Sequence, residues 1–500
     1  MKFTVLLRYL TYITSAAIPA LFAAFLVRHY FGTSIVSFTP VWNDEIDYWH
    51  QILSYAQNGF AIGYYTVEEI PSPLSSVTGF GTHGPFFPIL YGSVAKVTGW
   101  FPYSGPLFHM LFLSIAIFIF LALIRASLST VLLATITLVL FLPIQMYFPS
   151  TMQEPLHYAF AIVLAGQFYR YMTDEVRSRW LLFSIPALLI IASLLRPTWS
   201  VLFIPYLFLT ISAASQKSKA LLLASGTVIL GVFLFAYTLY SAPYPDLFIQ
   251  NFFAAFNSSP AEGFNYFIGH FVSNLAGYFS LKDPFEVEKI LRIQYIAAVI
   301  FVTINYFNLK KPGRYPFETL MHFCNLLIPL ALVISLYYVD GWLDYRLIAP
   351  HVLFSIAFFS AQNKTLPCLT MLAISLLATP AFSETYKQFH SDHFQAAARD
   401  ARLLPEQFSP FIKYRKDVTP WGNSLLIDMD SLQPYLVGLP AGIGINTVLD
   451  WNHINYPLKS AYVLIEPEIY AQISYKVRLR PIANSMHGTL YLNLDSPGLQ

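Results

Sequence analysis

The sequence predicts an α-helical polytopic membrane protein with a small α/β domain at its C-terminal end, outside the bilayer. Three observations carry this expectation. Of 500 residues, 56% are hydrophobic, 17% aromatic and only 11% charged, whereas a soluble globule typically has about 25% charged residues. Apolar runs of spanning length recur from the N-terminus to residue 381. From residue 382 onward the apolar density falls, charges return, and short strand-like runs stand between Gly/Pro-rich turns.

A helix needs about 20 apolar residues to cross ~30 Å of hydrocarbon. By that measure about eleven spans are expected, near 8–29, 104–124, 130–148, 155–171, 180–195, 198–214, 219–240, 288–308, 320–338, 346–361 and 365–381. The first apolar stretch exceeds the core of a signal peptide and reads as a retained transmembrane helix. Arg196-Pro197 interrupts the long run 180–214, which reads as two short helices or one kinked helix.

Lys and Arg concentrate in cytoplasmic loops of membrane proteins. With the N-terminus cytoplasmic, Lys2, Arg8, Arg125, Arg170, Arg177, Arg179, Lys217, Lys219, Lys310, Lys311, Arg314 and Lys364 fall on one side. Splitting the run at Arg196 keeps this alternation in phase. The first loop 30–103, the turn 149–155, the loop 241–287, the turn 339–345 and the tail then lie outside. The expected division is a transmembrane domain over 1–381 and a soluble extracytoplasmic α/β domain over 382–500. In the tail, 424–428 and 461–465 read as strands. The expected location is a plasma membrane, the inner membrane of a bacterium, with the C-terminal domain extracytoplasmic.

A net charge of +2 supplies no single-sign field, and no basic patch with interleaved aromatics is present. Nucleic acid is therefore not an expected partner. Cys324 and Cys368 lie in apolar runs and read as small buried hydrophobes.

Against this background the run Asp44-Glu45-Ile46-Asp47-Tyr48 is unusual, because carboxylates crowded against a bilayer are costly. Ile46, Trp49, Leu53 and Ala56 recur at three or four, which predicts an amphipathic helix over 43–59 lying in the interface. Its first turn holds Asp44, Asp47 and Tyr48, where the helix dipole favours ionised carboxylates. An ionised carboxylate in a partly dry cleft suits a general base; the alternative is that Asn43-Asp44-Glu45 caps the helix. Glu154, before Pro155, is a second outward acid, or compensates a helix dipole. Arg196, Arg346 and His83 are further charges at membrane level on the same side. Arginine suits phosphate because its planar fork meets two oxygens at once. The alternatives are snorkelling for Arg196, a pair with Asp340 or Asp344 for Arg346, and a satisfied interfacial histidine for His83.

Taken in order, these segments resemble the GT-C superfamily of polyprenyl-phosphate-sugar-dependent glycosyltransferases, which includes protein O-mannosyltransferases and lipid A aminoarabinose transferases. Asp44-Glu45-x-x-Tyr48 with Ala56 and Gly59 is similar to that family's acidic first-loop motif, and the segment from His83-Gly84-Pro85 to Tyr91-Gly92 to its second first-loop element. Glu154-Pro155 resembles the second-loop acid, Leu195-Arg196-Pro197-Thr198 the basic-Pro motif, and Tyr345-Arg346-Leu347-Ile348-Ala349-Pro350 a late segment. The resemblance covers roughly 40–380.

It implies an inverting transfer from a polyprenyl-phosphate-linked sugar to an extracytoplasmic glycan, lipid or protein. Asp44, or else Glu45, would be the base, with Glu154 a further catalytic acid. Asp47, Tyr48, His83, Arg196 and Arg346 would bind substrate, the arginines holding the leaving phosphate. Some relatives bind a divalent cation, and a site using Asp44 and Glu154 stays open. The rival readings are a polysaccharide polymerase or ligase, whose large catalytic loop normally comes late in the chain, and a lipid-linked sugar transporter, which more often shows paired repeats.

Overall fold

The computed structural model describes residues 2–174, 179–211, 216–244, 248–279, 286–307, 315–336, 345–395, 410–429, 434–454, 456–473, 477–485 and 488–499. Helix accounts for 71% of it. The helices are α1 (Lys2–Phe31), α2 (Asn43–Asn58), α3 (Phe86–Thr98), α4 (Ser104–Leu123), α5 (Leu128–Val139), α6 (Leu142–Tyr147), α7 (Glu154–Thr173), α8 (Arg179–Leu195), α9 (Phe203–Thr210), α10 (Gln216–Tyr240), α11 (Phe248–Ser258), α12 (Pro260–Phe279), α13 (Glu286–Phe307), α14 (Tyr315–Leu336), α15 (Ala349–Ala361), α16 (Thr365–Gln395) and α17 (Pro467–Ile473).

The described part of each expected span contains helix, but among the described residues five helices are both long and apolar enough to cross a membrane: those containing Leu6–Phe31, Ser104–Leu123, Lys217–Tyr240, Phe317–Ser335 and Thr365–Phe394. The expectation of eleven is thus reduced to five on this criterion. Three of the others are cut short at identifiable breaks. At 12 residues α5 spans only about 18 Å, because the expected run 130–148 breaks before Pro143 into α5 and α6. The run 180–214 resolves as two helices. Arg196 is extended, at φ −147° and ψ 112°, as a residue before proline is pushed to be, and a 3-10 turn over Pro197–Leu202 precedes the 8-residue α9. The expected loop 241–287 contains α11 and α12. Lys310, Lys311, Arg314, Arg177, Asp340 and Asp344 lie outside the described residues.

The strands are β1 (Thr66–Val67), β2 (Ser424–Asp428), β3 (Gly444–Val448), β4 (Tyr462–Ile465), β5 (Leu479–Ser485) and β6 (Gly488–Asn493). They form one sheet in the order β1-β3-β2-β4-β6-β5. The first four strands in that order run parallel, and β6 and β5 are antiparallel. Both strands expected in the tail are present, as β2 and β4. The tail does not build the sheet alone, because β1 comes from the first loop and pairs Thr66 with Asn446. Nor does residue 381 end the last apolar helix, since α16 continues to Gln395 with His390 and His393 fully buried.

Two apolar cores meet at α2. Trp49 and Ile52 belong to the core of the helical bundle, with Phe87, Tyr91 and Leu113. Ile46 and Tyr55 belong to the sheet's core, with Tyr65, Phe80, Leu425, Ile427 and Ile445. This helix is therefore covered on both faces, whereas its spacing suggested an interfacial helix with one face in water. Its polar residues follow suit. Ser54 Oγ accepts from Gly442 N at 2.9 Å, and His50 Nε2 donates to Leu439 O at 3.0 Å while its Nδ1 accepts from the Tyr65 hydroxyl at 2.7 Å. Burial pushes His50 down to about 4, which agrees with a neutral imidazole making those two bonds.

Candidate functional site

Four segments distant in sequence bring charged side chains together. Asp44 is in the first turn of α2, Glu154 opens α7, Arg196 occupies the break after α8, and Arg346 lies in a single 3-10 turn, Tyr345–Leu347, before α15. Arg196 Nη2 is 3.0 Å from Glu154 Oε1, and Arg346 Nε is 4.0 Å from the same oxygen. Arg346 Nη2 is 3.6 Å from Asp44 Oδ2. The side chains are graded in exposure: 36% for Asp44, 27% for Arg346, 15% for Arg196 and 4% for Glu154. Asp44 and Arg346 thus stand at the mouth of a cleft and Glu154 at its floor. Two carboxylates and two guanidinium groups balance in charge, and each carboxylate is at a helix N-terminus, where the dipole favours the anion.

His83 lines the same cleft. Its ring meets Tyr48 edge-on at 5.3 Å between centroids, and it lies within electrostatic reach of Asp44, Arg346, Glu154 and Arg196. The imidazole keeps surface open to water, yet the crowded protein around it lowers its proton affinity, as befits a group on a cleft wall. The backbone bend that delivers it depends on Gly84, at φ +75°, where a Cβ would come within 2.7 Å of the Tyr240 ring. Tyr48 is almost wholly buried, and its phenol is pushed up by burial and by the Asp44 and Glu154 charges.

Asp47 and Glu45 differ from Asp44. Burial, followed by repulsion from Asp44, pushes Asp47 up to about 8 while Gln51 Nε2 donates to its Oδ2 at 3.0 Å. At neutral pH it is mostly protonated and unsuited to be a base. Glu45 is fully buried and points away from the cleft. Its Oε2 accepts from Val41 N and Trp42 N at 3.3 and 3.2 Å, and its Oε1 accepts from Thr151 N at 2.7 Å. His393 Nε2 lies 2.5 Å from Oε2, and His393 Nδ1 is 3.2 Å from His390 Nδ1. In turn His390 Nε2 donates to Met146 O at 2.8 Å. The cap and the candidate base are therefore two different residues: Glu45 caps α2 and ties it to α16 and to the turn before Glu154, leaving Asp44 in the cleft.

Behind Arg196 lies a polar seam that sequence reasoning missed. Trp199 Nε1 donates to His157 Nδ1 at 3.2 Å, and His351 Nε2 is 3.0 Å from Thr198 Oγ1. The seam continues from His351 Nδ1 to Asn325 Oδ1 at 2.9 Å, from Asn325 Nδ2 to Ser355 Oγ at 3.2 Å, and from Ser355 Oγ to His322 Nδ1 at 3.0 Å. Bonds of this kind hold helices together where lipid offers no hydrophobic drive between them. The one available signal was spacing: His157 follows Glu154 by three and so shares its helix face.

Asp44 and Glu154, the pair that the resemblance leaves open for a divalent cation, both face Arg346. Among the described residues no group of three His, Cys, Asp or Glu side chains gathers into a metal site. Cys324 and Cys368 are free and buried, as their apolar surroundings suggested. A separate cavity of about 330 Å³, bordered by Arg125, Arg170 and Trp180, lies toward the far end of α7 from Glu154. No protein-family model matches the chain, and no curated protein matches its sequence at a significant level.

Proposed function

We propose that the chain is a membrane glycosyltransferase of the GT-C kind, moving a sugar from a polyprenyl-phosphate donor to an extracytoplasmic glycan, lipid or protein with inversion. The observation that carries this reading is the convergence of Asp44, Glu154, Arg196 and Arg346, each from its own motif, within 3.0–4.0 Å contacts. In the topology that goes with it, the N-terminus is cytoplasmic and the cleft opens on the opposite side of a plasma membrane.

In the proposed reaction the acceptor hydroxyl gives its proton to Asp44. Its oxygen forms a bond to the anomeric carbon from the face opposite the phosphate. The bond from that carbon to the phosphate oxygen breaks, and the electron pair leaves with polyprenyl phosphate. Arg346, with accessible surface at the cleft mouth, meets the departing charge, and Arg196 adds positive field from behind Glu154. Phosphate is a good leaving group, so positioning, a base and electrostatic stabilisation suffice.

The test is release of free polyprenyl phosphate from a panel of lipid-phosphate sugars by the purified protein. Asp44→Asn is expected to lower release by about 10²–10⁴-fold, the usual contribution of a general base, with lipid binding retained. Glu154→Gln unpairs Arg196 and is expected to weaken donor binding as well. Undiminished release by Asp44→Asn would remove Asp44 as the base. Binding of every donor without release from any would favour a transporter.

A further inference from the structure

We propose that the cavity at the far end of α7 from Glu154 is a binding site for the headgroup of an anionic phospholipid; this does not rest on the glycosyltransferase reading. The cavity holds about 330 Å³, and the ends of α4, α7 and α8 border it through Arg125, Arg170 and Trp180. Ligand sites typically occupy about 300–1,000 Å³. Arg125 and Trp180 are exposed, so the cavity opens to the surface. Arg170 follows Glu154 on the same helix, about 24 Å along its axis at 1.5 Å per residue. The cavity and the cleft therefore lie at opposite ends of α7.

Arg125 stands there at a cost to the backbone. At the end of α4, Arg125 N donates to Ala122 O at 3.2 Å and Ala126 N to Leu121 O at 3.1 Å. This is the bond pair of a Schellman turn, whose left-handed position usually holds glycine. Arg125 occupies that position at φ +51°, a conformation that a residue with a Cβ resists. Its guanidinium makes no ion pair or hydrogen bond among the described residues. Arg170 Nε is 2.8 Å from Asp174 Oδ2, which anchors a side chain that keeps 18% of its surface. Along residues 170–179 the sequence has Arg170, Arg177 and Arg179 against Asp174 and Glu175, and Arg125 adds a further positive charge. A cation near a helix C-terminus offsets the dipole, which accounts for Arg170 in the last turn of α7. It does not account for an arginine in a glycine position, nor for the space that both arginines border.

Planar guanidinium groups suit a phosphodiester because each meets two oxygens at once, and an indole at a membrane boundary has an apolar body in lipid and a polar edge among headgroups. The rest of the wall is apolar, formed by Phe118, Ile119 and Leu123 among others. From Ile119 an exposed stripe continues along α4 through Ile115 to Leu111, at spacings of four that keep it on one face. A soluble phosphate would use the arginines and leave the stripe bare. A phospholipid uses both, with its phosphate at Arg125 and Arg170 and an acyl chain along α4. In the proposed topology this end meets the cytoplasmic leaflet, where anionic lipids give a negative surface and basic pockets between helices hold their headgroups.

The experiment titrates the purified full-length chain in detergent micelles with phosphatidylglycerol, or with phosphatidylcholine of the same acyl chains, and measures bound lipid by native mass spectrometry. Glycerol phosphate is added as a soluble competitor. Arg125→Gly relieves the left-handed turn, so its thermal midpoint should equal or exceed that of wild type. Its affinity for phosphatidylglycerol should nevertheless fall about fivefold, the share of one basic side chain at a membrane surface. Wild type should bind phosphatidylcholine more weakly, with no difference between wild type and variant, and glycerol phosphate should displace nothing. Ala122→Phe, which fills the cavity without changing charge, should lose the tight adduct. Equal phosphatidylglycerol affinity in wild type and Arg125→Gly would overturn the site, and so would phosphatidylcholine bound as tightly as phosphatidylglycerol. Retention of the adduct by folded Ala122→Phe would place the lipid elsewhere. Displacement by glycerol phosphate would overturn a lipid as the occupant. If Ala122→Phe does not fold, Arg125→Gly decides alone.

Discussion

Adjacent carboxylates at positions 44 and 45 have different roles because successive helical residues point about 100° apart. That rotation leaves Asp44 facing Arg346 and turns Glu45 inward to His393. Removing Glu45 leaves His393 Nε2 and the Val41, Trp42 and Thr151 amides without the acceptor that satisfies them, and a buried unsatisfied group costs about 1–3 kcal/mol. Glu45→Ala is therefore expected to unfold at markedly lower temperature or denaturant than wild type, while Asp44→Asn stays close to wild type; melting curves of the two purified variants compare them. Asp47 carries a pH prediction. Its carboxyl is held at about 8 in the folded chain against 3.8 for an unperturbed aspartate. Between those values the unfolded state binds fewer protons than the folded one, so stability falls as pH rises from about 4 to about 8 and then levels. Asp47→Asn should flatten that part of the profile, and thermal midpoints taken from pH 5 to pH 9 would expose an unchanged slope if the assignment is wrong.

Among the elements, α14 and α15 are joined by the Asn325 amide, which bonds His351 O at 2.6 Å as well as His351 Nδ1 and Ser355 Oγ. Interhelical bonds in membranes contribute about 0.6 kcal/mol each, with a maximum near 1.7. Asn325→Leu should lower stability by about 1–3 kcal/mol. It should also loosen the segment that carries Arg196, because the His351 ring loses one of its two described hydrogen bonds and keeps Thr198 and its packing on Trp199. A rise in KM for donor larger than the fall in kcat would be the signature, and unchanged kinetics in a destabilised protein would limit the seam to packing. Much of this was hidden in the sequence. His157 and His351 are single histidines on their helices in a chain that contains 12, and His393 meets Glu45 across 348 residues. No local pattern marks such a partner.

At the scale of the molecule, the membrane-facing bundle and the sheet are fastened through α2 and the first loop. Glu69, fully buried and raised in proton affinity by that burial, accepts from Lys459 N and Ser460 N at 2.7 Å each. Glu68 accepts from Leu449 N at 2.7 Å and from the Tyr456 hydroxyl at 3.0 Å. Deleting 382–500 would strip His390 and His393 from Glu45 and Met146, and the sheet's core from Ile46, Tyr55, Tyr65 and Phe80. The truncated chain is expected to aggregate, and a monodisperse product on size-exclusion chromatography that still binds donor would refute this.

Local sequence carried the composition-level outcome: a mostly helical chain with apolar helices long enough to cross a membrane, helix in the described part of each expected span, β2 and β4 in the tail, and charged residues rare enough in apolar surroundings that Asp44, Glu154, Arg196 and Arg346 could be picked out. These are near-neighbour properties, set by the local run of apolar side chains, the backbone hydrogen bonds they permit, and the cost of a charge beside lipid. The tertiary fold settled that Glu45 is a clamp, that β1 joins the distant β3, that α2 is covered on both faces, and that His157 bonds Trp199 in the seam behind Arg196. Those outcomes depend on which surfaces far apart in the chain come to exclude water together, and no window of sequence contains both sides of such a contact.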